Sequence, residues 1–141
     1  MGKGKNNRDE TIEERLDQED AGCDDSLTYA IIGAAQKVHR ALGPGFTEST
    51  YQNALAKELI LRKMAFDSQR DFSVVYEGMI CGTYRPDTVV AGEVIVESKA
   101  TADLVKEHHA QTISYLRASG LPTALLLNFG SPSLQVRRFR Y

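Results

Sequence analysis

The stretch from Val94 to Leu127 limits the fold of this chain more than any other. Val94-Ile95-Val96 is an apolar run of the kind that forms a buried strand, and it closes on Glu97-Ser98-Lys99. A helical pattern follows over about residues 104–119 and stops at Gly120, with Pro122 just beyond. Ala124-Leu125-Leu126-Leu127 is then a short continuous apolar run, the signature of a strand covered on both faces. Strand, helix and strand in this order predict a right-handed parallel crossover within one sheet. The chain must therefore build an α/β fold, a mixed β-sheet flanked by helices.

The flanking segments complete the plan. Leu27, Ile31, Ala35, Val38 and Leu42 repeat at helical spacing over residues 27–42, with Ser26 as the expected N-cap and Gly43-Pro44 as the stop. A second helix is expected over about residues 48–63, capped by Thr47 and stapled by Phe46 and Tyr51, with Tyr51, Ala54, Leu55 and Leu59 on its apolar face. Phe72, Val74 and Tyr76 alternate with polar neighbours up to a turn at Glu77-Gly78. Residues 79–84 and 88–90 read as one strand bent near Pro86, because proline cannot donate to a sheet ladder. Ala91-Gly92-Glu93 makes the next turn, and a last strand is expected over residues 134–139.

Composition bounds the function. At 141 residues with 42% apolar content the chain suits one domain with a real core, expected over residues 27–141. Residues 1–26 carry nine acids against four bases, a balance of −5, and read as a flexible acidic leader. The remaining ten acids and thirteen bases give a body of +3, compatible with a polyanionic partner. No apolar run approaches the roughly 20 residues needed to span a membrane, and Met1 to Asn7 lack a hydrophobic signal core, so a cytoplasmic protein is expected. Cys23 and Cys81 lack metal-type spacing to any histidine.

Chemistry concentrates around Asp87, Glu97 and Lys99. Pro86-Asp87 precedes Glu97-Ser98-Lys99 by nine residues, so a strand hairpin can gather two carboxylates and an ammonium. Glu97 and Lys99 share a strand face, and a buried charge there is costly unless it is paired or holds an ion. Glu48 lies in the first turn of the second helix, where the macrodipole alone would favour it. His108, Gln111 and Tyr115 share one helix face. Arg85 is placed either to contact phosphate or to pair with Glu77 or Glu93; Arg137, Arg138 and Arg140 either meet phosphates or line a solvated strand. Tyr51 is expected in the core and His39 on the surface.

These motifs, taken in order, resemble a known family. Gly45-x-x-Glu48-x-x-Tyr51, Tyr84-Arg85-Pro86-Asp87, Glu97-x-Lys99-Ala100, His108-x-x-Gln111-x-x-x-Tyr115 and Leu127-Asn128-Phe129-Gly130 look like those of the GxxExxY proteins, in the PD-(D/E)XK nuclease-like superfamily. The resemblance covers roughly residues 27–141 and implies the restriction-endonuclease-like core. Ser98 departs mildly from it, standing where many relatives carry an apolar residue, a departure that leaves the presumed ligands untouched. It implies Asp87 and Glu97 as metal ligands with Glu48 as a third acid. Lys99 would orient or deprotonate the attacking water, while Gln111, Tyr115 and His108 would position substrate or support the acids. The implied activity is a nuclease acting on nucleic acid, DNA first. A homodimer is a further expectation, since a small nuclease gains strand contacts by pairing. Hard oxygen ligands with few imidazoles or thiolates suit Mg²⁺ or Mn²⁺. The competing expectation is a noncatalytic nucleic-acid-binding or interaction module on the same scaffold, motivated by small size and a pI near 5.9.

Overall fold

The computed structural model describes residues 25–140. Helices α1 (Ser26–Leu42) and α2 (Glu48–Leu61) lead into strands β1 (Phe66–Asp67), β2 (Phe72–Tyr76), β3 (Met79–Tyr84), β4 (Thr88–Val90) and β5 (Val94–Lys99). Helix α3 (Lys106–Ser119) and strands β6 (Thr123–Asn128) and β7 (Gln135–Arg140) complete the order. Five strands form one sheet in the order β1-β4-β5-β6-β7, and β2 and β3 form a separate two-stranded ribbon. As predicted, β5 and β6 run parallel, from Val94 opposite Thr123 to Lys99 opposite Asn128. All other paired strands in both sheets are antiparallel.

Strand alternation divides the core into two layers. Val94 and Val96 of β5, with Leu125 and Leu127 of β6, pack beneath Ile31, Ala35 and Val38 of α1 and Tyr51, Leu55 and Leu59 of α2. Ile95, Ala124, Leu126 and Phe139 point the other way, against Ile113 and Leu116 of α3. Each fully buried Leu or Ile in these layers contributes about 1.5–3 kcal/mol. The same parity puts Glu97 and Lys99 on the face of Ile95, the α3 side.

Four local expectations change. Residues 79–84 and 88–90 are not one bent strand: β3 pairs with β2 in the ribbon, whereas β4 pairs with β5 in the main sheet. Arg85-Pro86-Asp87 is therefore a crossing between sheets, where proline's missing donor costs nothing. Strand β1 leaves no mark in the sequence pattern; it adds only two residues to the edge beyond β4. The N-cap of α1 is Asp25 rather than Ser26, and Thr47 precedes α2 without a side-chain capping bond, its hydroxyl meeting those of Ser49 and Thr50 instead. Finally, α2 ends at Leu61, before a left-handed Lys63 (φ 59°).

The acidic leader falls outside the described residues except for its end. There Asp25 pairs with Arg140 and lies 3.8 Å from Arg138, so these two arginines of β7 face a carboxylate. His39, expected on the surface, is buried, with its Nε2 2.9 Å from the Ser131 carbonyl oxygen. No helix among the described residues is long and apolar enough to cross a membrane.

Candidate active site

The β4–β5 pairing assembles the acids. Its register sets Thr88 opposite Val96, and one step further it brings Asp87 opposite Glu97 on the α3 face. The ladder does not continue there through main-chain bonds. The Asp87 N–H donates to Glu97 Oε2 at 3.1 Å, and the Ser98 N–H donates to Asp87 Oδ2 at 2.8 Å. Each carboxylate thus holds the other's strand. Ser98 touches the site after all, through its amide rather than its side chain.

Like charges placed directly opposite are unfavourable, and burial sharpens the effect. Glu97 is 7% exposed. Burial, then the Asp87 charge, pushes its carboxyl up to about 8, against the opposing pull of the Asp87 amide and Lys99. Asp87 is also raised, chiefly by burial and further by Glu48, while the Ser98 amide and Lys99 hold it down. Glu48 acts on both carboxyls, and so does Lys99 with opposite sign. The four expected residues Glu48, Asp87, Glu97 and Lys99 therefore share one electrostatic neighbourhood.

Glu48 is brought there by the loop before α2. Tyr51, fully buried as expected, donates its hydroxyl to the Gly43 carbonyl oxygen at 2.5 Å and accepts the Phe46 N–H at 3.1 Å. The staple forms, with the Phe46 and Tyr51 rings edge to face at 6.1 Å. Gly43 (φ 70°) and Gly45 (φ 119°) supply backbone angles that a side chain would resist. Tyr51 then stacks flat on Phe129 at 4.8 Å, joining this loop to the end of β6.

The end of β5 is pinned from β6 by a residue to which the sequence assigned no role. Asn128 is fully buried, accepts the N–H groups of Thr101 and Gly130, and donates to the Thr101 carbonyl and to Gln135. Phe129 N–H donates to the Lys99 carbonyl at 2.8 Å. Gly130 must be glycine, because a Cβ there would sit 2.4 Å from the Thr101 carbonyl oxygen. These contacts fix the backbone on both sides of Ala100, and so the point from which Lys99 projects. A polar residue closing the apolar run 124–127 was the available signal.

Helix α3 meets the site through Tyr115. Its hydroxyl is raised by burial and by the charges of Glu97 and Asp87, so it lies within electrostatic reach of the acids. The Tyr84 ring stacks on it at 4.1 Å and donates its hydroxyl to the Tyr115 carbonyl at 2.5 Å. Burial pushes the Tyr84 phenol up to about 12.

The other expected participants stand apart. Gln111 is exposed on α3, and no hydrogen bond among the described residues ties it to the acids. His108 serves its own helix: its Nδ1 accepts the Val105 N–H at 3.2 Å, closing the first turn. Arg85 pairs with neither Glu77 nor Glu93; it binds Asp71 at 2.7 Å and the Gln69 carboxamide at 3.0 Å, because β3 carries it toward the ribbon's root.

Among the described residues no three His, Cys, Asp or Glu side chains converge closely enough to enclose a metal ion. The donor chemistry nonetheless suits a hard divalent cation. Two carboxylates face each other, a third acid acts on both, and a cation would relieve the repulsion among them.

No curated protein and no solved structure matches the chain. A family model does, over residues 25–139, a span that includes Glu48, Asp87, Glu97, Lys99 and Tyr115. The chain belongs to the PD-(D/E)XK nuclease superfamily.

Proposed function

We propose that the protein is a metal-dependent nuclease that hydrolyses phosphodiester bonds, with DNA as the first substrate to test and Mg²⁺ or Mn²⁺ as its ion. The observation that carries this reading is the facing pair of half-buried Asp87 and buried Glu97 beside Lys99, with both carboxyls raised chiefly by burial, Glu97 further by Asp87 and Asp87 further by Glu48. Such a pair is costly to a fold that does not use it. In this reading Asp87 and Glu97 would hold the cation, with Glu48 as a third acid. A bound divalent ion would neutralise the phosphate and lower the pKa of a bound water. Lys99 orients the attacking water and offsets charge building on the phosphoryl oxygens. Tyr115 supports the acids from α3 and faces the substrate backbone, while exposed Gln111 meets the strand only as it arrives.

Within the superfamily we assign the chain to the GxxExxY type. The support is the Gly45-x-x-Glu48-x-x-Tyr51 segment, in which Tyr51 closes the loop that delivers Glu48.

The test is cleavage of single- and double-stranded DNA, and of RNA, by purified protein with Mg²⁺ or Mn²⁺. Glu97→Gln and Lys99→Met should each reduce the rate by at least about a hundredfold while leaving the circular dichroism spectrum unchanged. Cleavage that survives both substitutions would refute the site. One observation favours a second reading, a noncatalytic nucleic-acid-binding module: the three acids are not drawn into one cluster. Absence of Mn²⁺ binding at millimolar concentration with DNA present would select that reading.

A further inference from the structure

Asp87 and Tyr115 approach the site from different elements, and one side chain links them. Tyr84 closes β3, three residues before Asp87. Its ring lies nearly parallel to that of Tyr115 (12°) with centroids 4.1 Å apart, and its hydroxyl donates to the Tyr115 carbonyl at 2.5 Å. Phe72, opposite Tyr84 in the β2–β3 register, stacks on it at 5.7 Å and is covered in turn by the Arg70 guanidinium at 4.7 Å. Arg85 braces the same point, gripping both oxygens of Asp71 (2.7 and 3.3 Å) and the Gln69 carboxamide (3.0 Å). Pro86 then allows the crossing to Asp87 little further rotation. The far part of the ribbon is held less firmly: Val74, Val75, Tyr76, Met79 and Ile80 are 44–69% exposed. Its firmest hold is the column Arg70, Phe72, Tyr84 and Tyr115, which ends at a phenol.

That phenol is the one on which the charges of Glu97 and Asp87 both act, and the Glu97 charge acts on the Tyr84 phenol as well. A long side chain on a helix has two open χ1 wells, near ~180° and ~−60°, which aim its tip at different places. A stacked ring favours the well that keeps the stack by up to about tenfold. We propose that Tyr84 is a positioning residue for phosphodiester hydrolysis: its ring holds the Tyr115 side chain in the rotamer that sets the Tyr115 hydroxyl beside the acids. In this role, which rests on the nuclease reading above, Tyr84 acts without touching the cation or the substrate. The ring carries the effect, because the Tyr84 hydroxyl bonds α3 at the Tyr115 carbonyl and Ser119 and, among the described residues, makes no bond to either acid.

A cycle of substitutions in the full chain tests this, read as kcat and KM for DNA cleavage with Mn²⁺. Tyr84→Leu should lower kcat about tenfold and leave KM within about twofold, with an unchanged circular dichroism spectrum. Tyr84→Phe keeps the stack and loses only the hydroxyl bonds, so it should stay within about threefold of wild-type turnover. Tyr115→Phe keeps the stack and removes the positioned hydroxyl; it should slow turnover at least about tenfold, and in that background Tyr84→Leu should have no further effect. Phe72→Leu, which withdraws the ring stacked on Tyr84, is carried through the same cycle with an expected loss of about threefold, and it decides the question if Tyr84→Leu does not fold. Losses that add across the two sites would overturn the proposal and leave the nuclease reading standing, since Tyr84 would then act through Asp87 or the fold. So would a Tyr84→Phe protein as slow as Tyr84→Leu, or a Tyr115→Phe protein as fast as wild type. An inert wild type would remove the nuclease reading and this role with it.

Discussion

Replacing Glu97 with glutamine should make the protein more stable at alkaline pH, even as it removes activity. The glutamine carboxamide keeps an oxygen able to accept the Asp87 N–H, so the change is chiefly one of charge. In the unfolded chain this carboxyl titrates near 4.5, and in the fold near 8. A raised folded-state pKa means that the native state binds more protons than the unfolded one between these values. Stability from this group is then fully present below about pH 4.5 and is lost as pH rises through about 8. At about 1.4 kcal/mol per pH unit, that interval sets a ceiling of roughly 5 kcal/mol. Coupling to Asp87 and access of water lower it, and about 2–3 kcal/mol is a reasonable working figure. At about 3–5 °C per kcal/mol for a domain of this size, the melting temperature of wild type should fall by about 10 °C between pH 5 and pH 8.5 relative to Glu97→Gln. The assay is thermal unfolding by circular dichroism in EDTA across that range. Adding Mn²⁺ at pH 8 should then restore much of the loss in wild type and little in the variant. Parallel pH profiles for the two proteins would show that Glu97 is not the strained group.

Three further substitutions test the supports of the site. Asn128→Ala strips four hydrogen bonds from a buried pin and should cost about 2–4 kcal/mol by urea denaturation, as should Gly130→Ala through its clash with the Thr101 carbonyl. Tyr51→Phe keeps the stack on Phe129 but loses both hydroxyl bonds, so it should cost about 1–2 kcal/mol and lower nuclease turnover through Glu48 with little change in substrate affinity.

What could be read ahead of the structure was local or periodic. The two helices, the β5–α3–β6 step and the shared face of Glu97 and Lys99 follow from spacings of two to four residues. The staple of Phe46 on Tyr51 belongs to the same class. What escaped depended on partners far along the chain. The division between β3 and β4 is decided by β2 and β5 competing for adjacent segments, and no spacing encodes which wins. His39 looks like a surface residue until Ser131, 92 positions away, supplies an acceptor. Arg85 finds Asp71 because the ribbon folds back on itself. Within the site, the acids and lysine were legible as types, while the amide of Ser98 and the carboxamide of Asn128 were not. Main-chain donors leave no mark in composition, and Asn128 showed only as a polar residue closing an apolar run, without the partners it would pin.

The exchange of bonds between Asp87 and Glu97 ties chemistry and architecture to the same atoms. Two strands that have just left their ladder are stitched together by the side chains that we propose hold the metal. A lineage that abandoned cutting would still feel selection to keep both acids, since losing either leaves an amide without an acceptor at the mouth of the sheet. Persistence of these carboxylates in a relative is therefore a record of its fold as much as of its trade. Lys99 receives no such protection, because neither acid relies on it for a hydrogen bond. Under the proposed mechanism, its replacement is the earlier sign that a copy of this scaffold has stopped cutting.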